Sequence, residues 1–273
     1  MKISKGKIIL AIIVIYFTVF AFININKEKD MNKDILDKVV YVTDGVVNPK
    51  NEGKLVLVSG KINYDNLVSF IELEDFSSIK INRKVEDYVK VYDEDDEYEY
   101  KWVERENPLE SNEGDYLKTI VSEEKVSNVK IGNFELDEKG LSLIPTDKYY
   151  SKQEKIGDLI TKGIYYSRDP DEEDLKEGDI KITYKYYDLD KNPYLSVLAV
   201  QKGNSFIPYK VDKKKSFYQV FTSKVDSEKK LSKELDLNVK RTKKGKFLFI
   251  VMILGAGIFF IVDNKSSNYC IDK

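Results

Sequence analysis

Apolar residues run almost unbroken near the two ends of this 273-residue chain and come in short alternating runs between them. Residues 8–25 read IILAIIVIYFTVFAFINI, with Thr18 and Asn24 the only strongly polar members. A helix of about eighteen residues rises roughly 27 Å, near the hydrocarbon thickness of a bilayer, so this pattern predicts a transmembrane helix. Lys2, Lys5 and Lys7 precede it as in a signal peptide, but the exit FININKEKD offers no small-x-small cleavage site, which favours an uncleaved anchor. Residues 247–262, FLFIVMILGAGIFFIV, carry no charge and predict a second span of roughly 24 Å, with Lys244, Lys246 and Lys265 placed to snorkel toward headgroups. A core helix of a globular domain would normally show a polar face there.

Between these stretches the dominant period is two, the signature of strands. Leu55, Val56, Leu57 and Val58 form a buried-strand run bounded by Gly53 and Gly60. Val89 and Val91, the acidic turn 93–97, and Tyr98, Tyr100 and Trp102 alternating with Glu99 and Lys101 predict a hairpin with one buried face. Phe134 and Leu136, turning at residues 137–140 into Leu141 and Leu143, repeat that unit. Ile180, Ile182, Tyr184 and Tyr186 alternate over Lys181, Thr183 and Lys185; DLDKNP then turns the chain into residues 195–200, and Gly203-Asn204 into residues 206–209. Residues 30–50 mix helical and polar character, a short helix fits near residues 151–161, and Asp226 can cap a helix with Leu231 and Leu235 on one side. The predicted fold class is a membrane protein with a mostly-β (α+β) extracytoplasmic domain between two transmembrane helices. Its layout is a cytoplasmic N-terminus 1–7, a span 8–25, the β-rich domain 26–246 as one domain or two intimate subdomains, a span 247–262 and a tail 263–273.

Charge adds an orientation. The net charge is −2; with +3 on residues 1–7, +5 on residues 240–246 and zero on residues 263–273, residues 8–239 carry −10. An acidic body with basic collars excludes nucleic acid as a partner, because that binding needs a basic face. Lysines ahead of the first span place the N-terminus in the cytoplasm, while Lys240, Arg241, Lys243, Lys244 and Lys246 pull the end of the body the same way. Long domains cross with little regard to charge and the first helix dominates, so the expectation is both termini inside and the body outside.

The chain has no histidine, and its single cysteine is Cys270 in the tail. This excludes Ser-His-Asp and Cys-His catalysis, zinc sites built on Cys or His, His-ligated haem, and a disulfide within the body. Lipidation of Cys270 is the alternative to an inert tail thiol. The acidic run Asp93-Glu94-Asp95-Asp96-Glu97 lacks the spaced ligands and central glycine of a calcium loop, so it reads as a solvated turn. The acidic cluster within residues 169–174 reads likewise as a loop. Carboxylates are too numerous for any pair to stand out as glycosidase machinery. Gly255-Ala256-Gly257 gives weak support for close helix packing. The alternating tyrosines read as core and sheet surface, with a carbohydrate-binding face as the alternative. No catalytic, cofactor-binding or metal-ligating residue is identified, and no cofactor is expected.

Four strand-and-turn phrases occur in a fixed order: NEGKLVLVSGKI, RKVEDYVKVYDEDDEYEYKW, GDIKITYKY and AVQKGNSFIPYK. With a helix before and a hydrophobic segment after them, residues from about 45 to 255 resemble the transmembrane protein 43 family, also called LUMA. Its motif positions fall here on Gly53, Lys54, Leu55, Val58, Gly60 and Lys61, on Tyr98, Tyr100 and Trp102, on Gly178 and Asp179, and on Gln201, Gly203 and Pro208. The resemblance implies that these are structural positions. It also implies a lumenal or extracytoplasmic domain that associates with itself or with other membrane proteins, and no established enzymatic activity. Members continue through two further hydrophobic helices, whereas only residues 263–273 follow the second stretch here, so the expectation is either a shortened member or a reading frame that ended early. Richness in Lys, Ile, Asn and Asp points to an AT-rich bacterial gene and hence to a bacterial cytoplasmic membrane. The function expected is a non-enzymatic scaffold in contact with the lipid bilayer; the alternative is an envelope ligand-binding or sensor module.

Overall fold

The computed structural model describes residues 30–93, 97–109, 116–152, 155–156, 159–161, 164–167, 175–211 and 216–236, which divide between two units, residues 40–225 and residues 1–39 with 226–273. In the larger unit the strands are, in chain order, β1 (Val40–Val42), β2 (Leu55–Tyr64), β3 (Lys80–Tyr92), β4 (Tyr98–Glu104), β5 (Glu123–Val126), β6 (Val129–Ile131) and β7 (Phe134–Glu135). They continue with β8 (Lys148–Tyr149), β9 (Lys155–Ile156), β10 (Leu159–Thr161), β11 (Tyr165–Tyr166), β12 (Ile180–Tyr186), β13 (Tyr194–Lys202), β14 (Ser205–Ile207), β15 (Tyr209–Lys210), β16 (Ser216–Phe217) and β17 (Gln219–Phe221).

A seven-stranded sheet runs β14-β13-β2-β6-β7, with β1 parallel to β2 and β17 antiparallel to β13. Its middle strands are buried on both faces, which is why Leu55 to Val58 read as an unbroken apolar run. Val58 lies opposite Val197 and Leu57 opposite Leu198, all fully buried. One face packs with Ile79, Ile131, Phe134, Tyr187 and Phe206 into the first core. The strand does not stop at Gly60, as its glycine suggested. A Cβ at that position would lie 2.9 Å from the Ile131 side chain, so the glycine makes room for a neighbouring strand.

An eight-stranded sheet runs β4-β3-β12-β11-β10-β9, with β5 on β3 and β8 on β12. One face encloses the second core, built from Phe70, Ile81, Val85, Leu159, Tyr165, Ile182 and Tyr184. Lys80 lies where the two cores adjoin, between Ile79 of the first and Ile81 of the second. Its buried ammonium donates to Leu141 O at 3.1 Å and Ser142 O at 3.0 Å and pairs with Glu124 at 3.1 Å, which satisfies all three of its hydrogens.

Two local expectations are corrected. Residues 137–143 form no second strand: Asp137 Oδ1 accepts from Gly140 N at 3.1 Å and caps a short helix, Glu138–Ser142. The helix expected near residues 151–161 is not formed at residues 155–156 and 159–161: these are the strands β9 and β10, with Ile156 the cross-strand partner of Leu159 and both buried in the second core.

In the other unit, helices cover residues 30–38 and 228–236. They bury Ile35, Leu231 and Leu235, and Asn32 Nδ2 donates to Leu235 O at 3.3 Å. Asp34 pairs with Lys38 along the first helix at 2.6 Å, and Asp226, just ahead of the second, pairs with Lys230 at 2.8 Å. The expected fold class and its transmembrane character are corrected here. The described residues are mostly β-strand with few helices, and no helix among them is long and apolar enough to cross a membrane. The physical reason is length: the described helical stretches run to residues 30–38 and 228–236 at most, about half of the roughly 20 residues a span needs. The spans expected over residues 8–25 and 247–262 lie outside the described residues, as do the basic cluster 240–246, the residues 255–257, Cys270 and the acidic cluster 169–174.

Candidate functional site

β3 is the longest strand, and its two ends do different things. β12 pairs with it only from Ile81 to Asp87, whereas β4 pairs with it from Glu86 to Tyr92. Beyond Tyr88, whose backbone bonds go to Gly178 and Asp179 at 2.9 and 2.8 Å, the chain continues as a two-stranded arm. The arm's turn is closed on the described side by Asp93 N donating to Glu97 O, and by Glu97 N donating to Asp93 Oδ1, both at 2.9 Å. Residues 94–96 of the acidic run lie outside the described residues.

Alternation of side chains places Tyr88, Lys90 and Tyr92 on one face of the arm with Trp102, Tyr100 and Tyr98 opposite them. The rings form a continuous ladder. Tyr88 stacks on Tyr100 at 5.6 Å and meets Trp102 at 5.1 Å, Tyr98 meets Tyr100 edge-on at 5.9 Å, and Tyr92 lies 6.1 Å from Tyr98. Lys90 Nζ sits 3.7 Å above the Tyr98 ring and 5.0 Å from that of Tyr92. A hydrogen bond with Tyr92 holds the Lys90 pKa above its ordinary value. At the foot of the ladder Lys181 lies 4.7 Å over Trp102 and 2.8 Å from Glu86, which Lys84 also meets at 3.0 Å. Burial alone would push the Glu86 carboxyl up, but bonds from Lys181 and Lys84 hold it below the usual carboxylate range.

The predicted hairpin is therefore present, but its aromatic face is not the buried one. Tyr92, Tyr98 and Tyr100 are 58%, 57% and 44% exposed, and Val103 on the opposite face is 40% exposed. Among the described residues little packs on the outer part of this two-stranded ribbon, and period two cannot distinguish that case from a half-buried hairpin. Val91, Tyr92, Asp93, Glu97, Tyr98, Glu99 and Lys101 line an open depression at its end.

On the core side of the same strands is a polar cluster that alternation gave no sign of. Glu72 accepts from Arg83 Nη1 at 2.7 Å, Tyr184 Oη at 2.7 Å and Tyr116 Oη at 2.6 Å. The Glu72 and Arg83 side chains are only 4% and 7% exposed. Arg83 also donates to Val121 O at 2.9 Å and Glu123 at 3.1 Å, and lies 4.2 Å over the Phe70 ring. Burial would raise the Glu72 pKa, yet the hydrogen bonds from Tyr116, Arg83 and Tyr184 bring it below its ordinary value. Burial, reinforced by the Glu72 charge, pushes the Tyr184 and Tyr116 hydroxyls up. Arg105 adds a second tie, forking onto Asp87 and donating to Leu117 O and Ile120 O, the latter at 3.2 Å. These contacts hold the root of the arm rigid.

The motif positions fall into two places. Around the end of β2, Gly53 N donates to Gln201 O and Gln201 N to Lys54 O, both at 3.0 Å, while Gly203 N donates to Glu52 Oε2 at 2.9 Å. Gly53 and Gly203 adopt φ of +73° and +58°, which a side chain would strain. Leu55, Val58, Gly60 and Lys61 continue along β2 opposite β13, and Pro208 follows β14. Gly178, Asp179, Tyr98, Tyr100 and Trp102 gather instead on the arm, where Asp179 also accepts from Lys176 N at 2.8 Å. Glu72, Arg83, Asp87 and Arg105 were not singled out from sequence, and Tyr184 was read only as a member of an alternating run. Among the described residues no group of carboxylates and cysteines is arranged to hold a metal.

Residues 82–265 match the family model of transmembrane protein 43. No curated protein and no solved structure matches the chain.

Proposed function

From the premise that the chain belongs to the transmembrane protein 43 family, which is membrane-associated, we propose that residues 40–225 form a non-enzymatic assembly domain that organises protein complexes at a membrane. The observation that carries this reading is the arm. It exposes an aromatic ladder and apolar residues on a two-stranded ribbon whose root is locked by the Glu72–Arg83 and Asp87–Arg105 ties. Exposed aromatic rings on a rigid support are the composition of a protein–protein contact, since rings bury large area at little conformational cost. The absence of histidine and the placement of the single cysteine outside the body remove most nucleophilic chemistry and agree with a non-catalytic role. As part of the same proposal, the body lies on the extracytoplasmic side of a bacterial cytoplasmic membrane.

Crosslinking of membrane fractions tests this. The native chain is expected in species above its monomer mass, and replacing Tyr98, Tyr100 and Trp102 together by Ser should abolish them while leaving the fold intact by circular dichroism. A native chain that stays strictly monomeric with no crosslinked partner overturns the assembly reading.

A further inference from the structure

We propose that β4 is a homotypic docking edge: two copies of this chain pair their β4 strands antiparallel, with Tyr100 opposite Tyr100. This rests on the assembly reading above and names its contact.

Three observations lead to it. First, β4 is the outermost strand of its sheet, and among the described residues it pairs with β3 alone. Secondly, the backbone groups it presents outward can be identified. Tyr88 donates its N–H to Asp179 O and accepts at its C=O from Gly178 N, away from β4, so its opposite residue Trp102 directs its own groups to the open edge. By the alternation of an antiparallel ladder, Tyr98, Tyr100 and Glu104 do the same. The residues with free backbone bonds are thus largely the aromatic ones. Native proteins usually blunt such an edge with proline, a bulge or charged side chains. β4 has neither proline nor bulge, and its central charges, Glu99 and Lys101, are opposite in sign.

Thirdly, the sequence of β4 is self-complementary when it is centred on Tyr100. Because outward groups occur at every second residue, two copies related by a twofold axis can centre only at or symmetrically about these positions. Centring on Tyr100 sets Tyr98 opposite Trp102 of the second copy, and Glu99 opposite Lys101 twice over. Each of these pairs falls on a common face, the aromatic pairs extending the ladder and the ion pairs lying behind it. Moving one step either way sets Glu99 opposite Glu99 or Lys101 opposite Lys101, and like charges directly opposite destabilise a ladder. Glu99 and Lys101 now pair within their own strand at 3.2 Å while about half or more exposed, so both are free to be shared across the contact.

The register is read by single cysteines in the full-length chain with Cys270→Ser as background. Tyr100→Cys is expected to crosslink to itself under mild oxidation, because directly opposite residues of a bonded pair lie about 5.5 Å apart at Cα, within disulfide reach. Crosslinking at Glu99→Cys or Lys101→Cys but not at Tyr100→Cys overturns the register. Charge reversal supplies an independent reading without cysteine. Glu99→Lys or Lys101→Glu alone should weaken self-association about ten-fold, and mixing the two variants in equal amounts should restore it in mixed pairs only. If neither variant weakens association, or if no cysteine crosslinks while the native chain still forms complexes, the β4 edge is overturned and the assembly reading stands. A native chain that forms no complexes overturns both.

Discussion

Around β2 and β13 the interior is nearly all hydrocarbon, whereas around β3 and β12 it is threaded by charge. Val58, Ile131, Phe134 and Val197 fill the first core, and the main polar feature of its central strands is the Ser59–Ser196 hydroxyl pair at 2.8 Å. The second core holds Phe70, Ile182 and Tyr184 but also the buried Glu72–Arg83 pair. The difference tracks what each sheet supports. The first has its central strands covered on both faces, so packing alone fixes them. The second carries an arm that leaves the sheet, and directional bonds from Arg83 and Arg105 fix the strand and the loops at its root where hydrophobic contact runs out. Buried charge of this kind confers little net stability, but breaking it is costly.

The sharpest test of the contrast is Arg83→Ala, expected to destabilise the body by about 3–5 kcal/mol at pH 7 because Glu72 is left charged and buried. The pH dependence follows from the sign of the shift. Glu72 is depressed below its ordinary value of 4.5, so its contribution is present above that pH and is lost as pH falls through the lower folded value. The Arg83→Ala deficit should therefore shrink in urea melts at pH 3.5. A deficit equal at both pH values would erase the distinction between the two cores. The Tyr184 and Tyr116 hydroxyls are shifted the other way, so their contribution is complete below pH 10 and is lost as pH rises beyond it.

Ile131→Ala, in the first core, should cost about 2–4 kcal/mol through the cavity it leaves. That loss should be the same at pH 7 and pH 3.5, since no titrating group is involved. Smallest is Ser59→Ala, at about 1 kcal/mol or less, because Ser196 Oγ keeps its bonds to Ser223 O at 2.7 Å and Val225 N at 2.8 Å. A loss above about 2 kcal/mol there would mean that the first sheet, too, depends on polar contacts.

Much of the strand placement was legible. The unbroken run at residues 55–58, the alternation at 180–186 and the Gly203-Asn204 turn lie on β2, on β12 and between β13 and β14. Misreadings came where two geometries share one spacing. Ile156 and Leu159 fit a helical i, i+3 pair and equally a tight hairpin, and only their shared core separates the two. Asp137 reads as a turn former and as a cap alike, because its side chain does the same bonding in both.

By itself the sequence determined which segments alternate, where the charge lies, that histidine is missing from it, and the family to which the chain belongs. Tertiary structure alone decided which face of each alternation meets solvent, and it brought Glu72 to Arg83, Tyr116 and Tyr184 from distant parts of the chain. The reason is that periodicity records only that two faces differ. Burial and hydrogen bonding depend on what other strands place beside them, and that information is long-range.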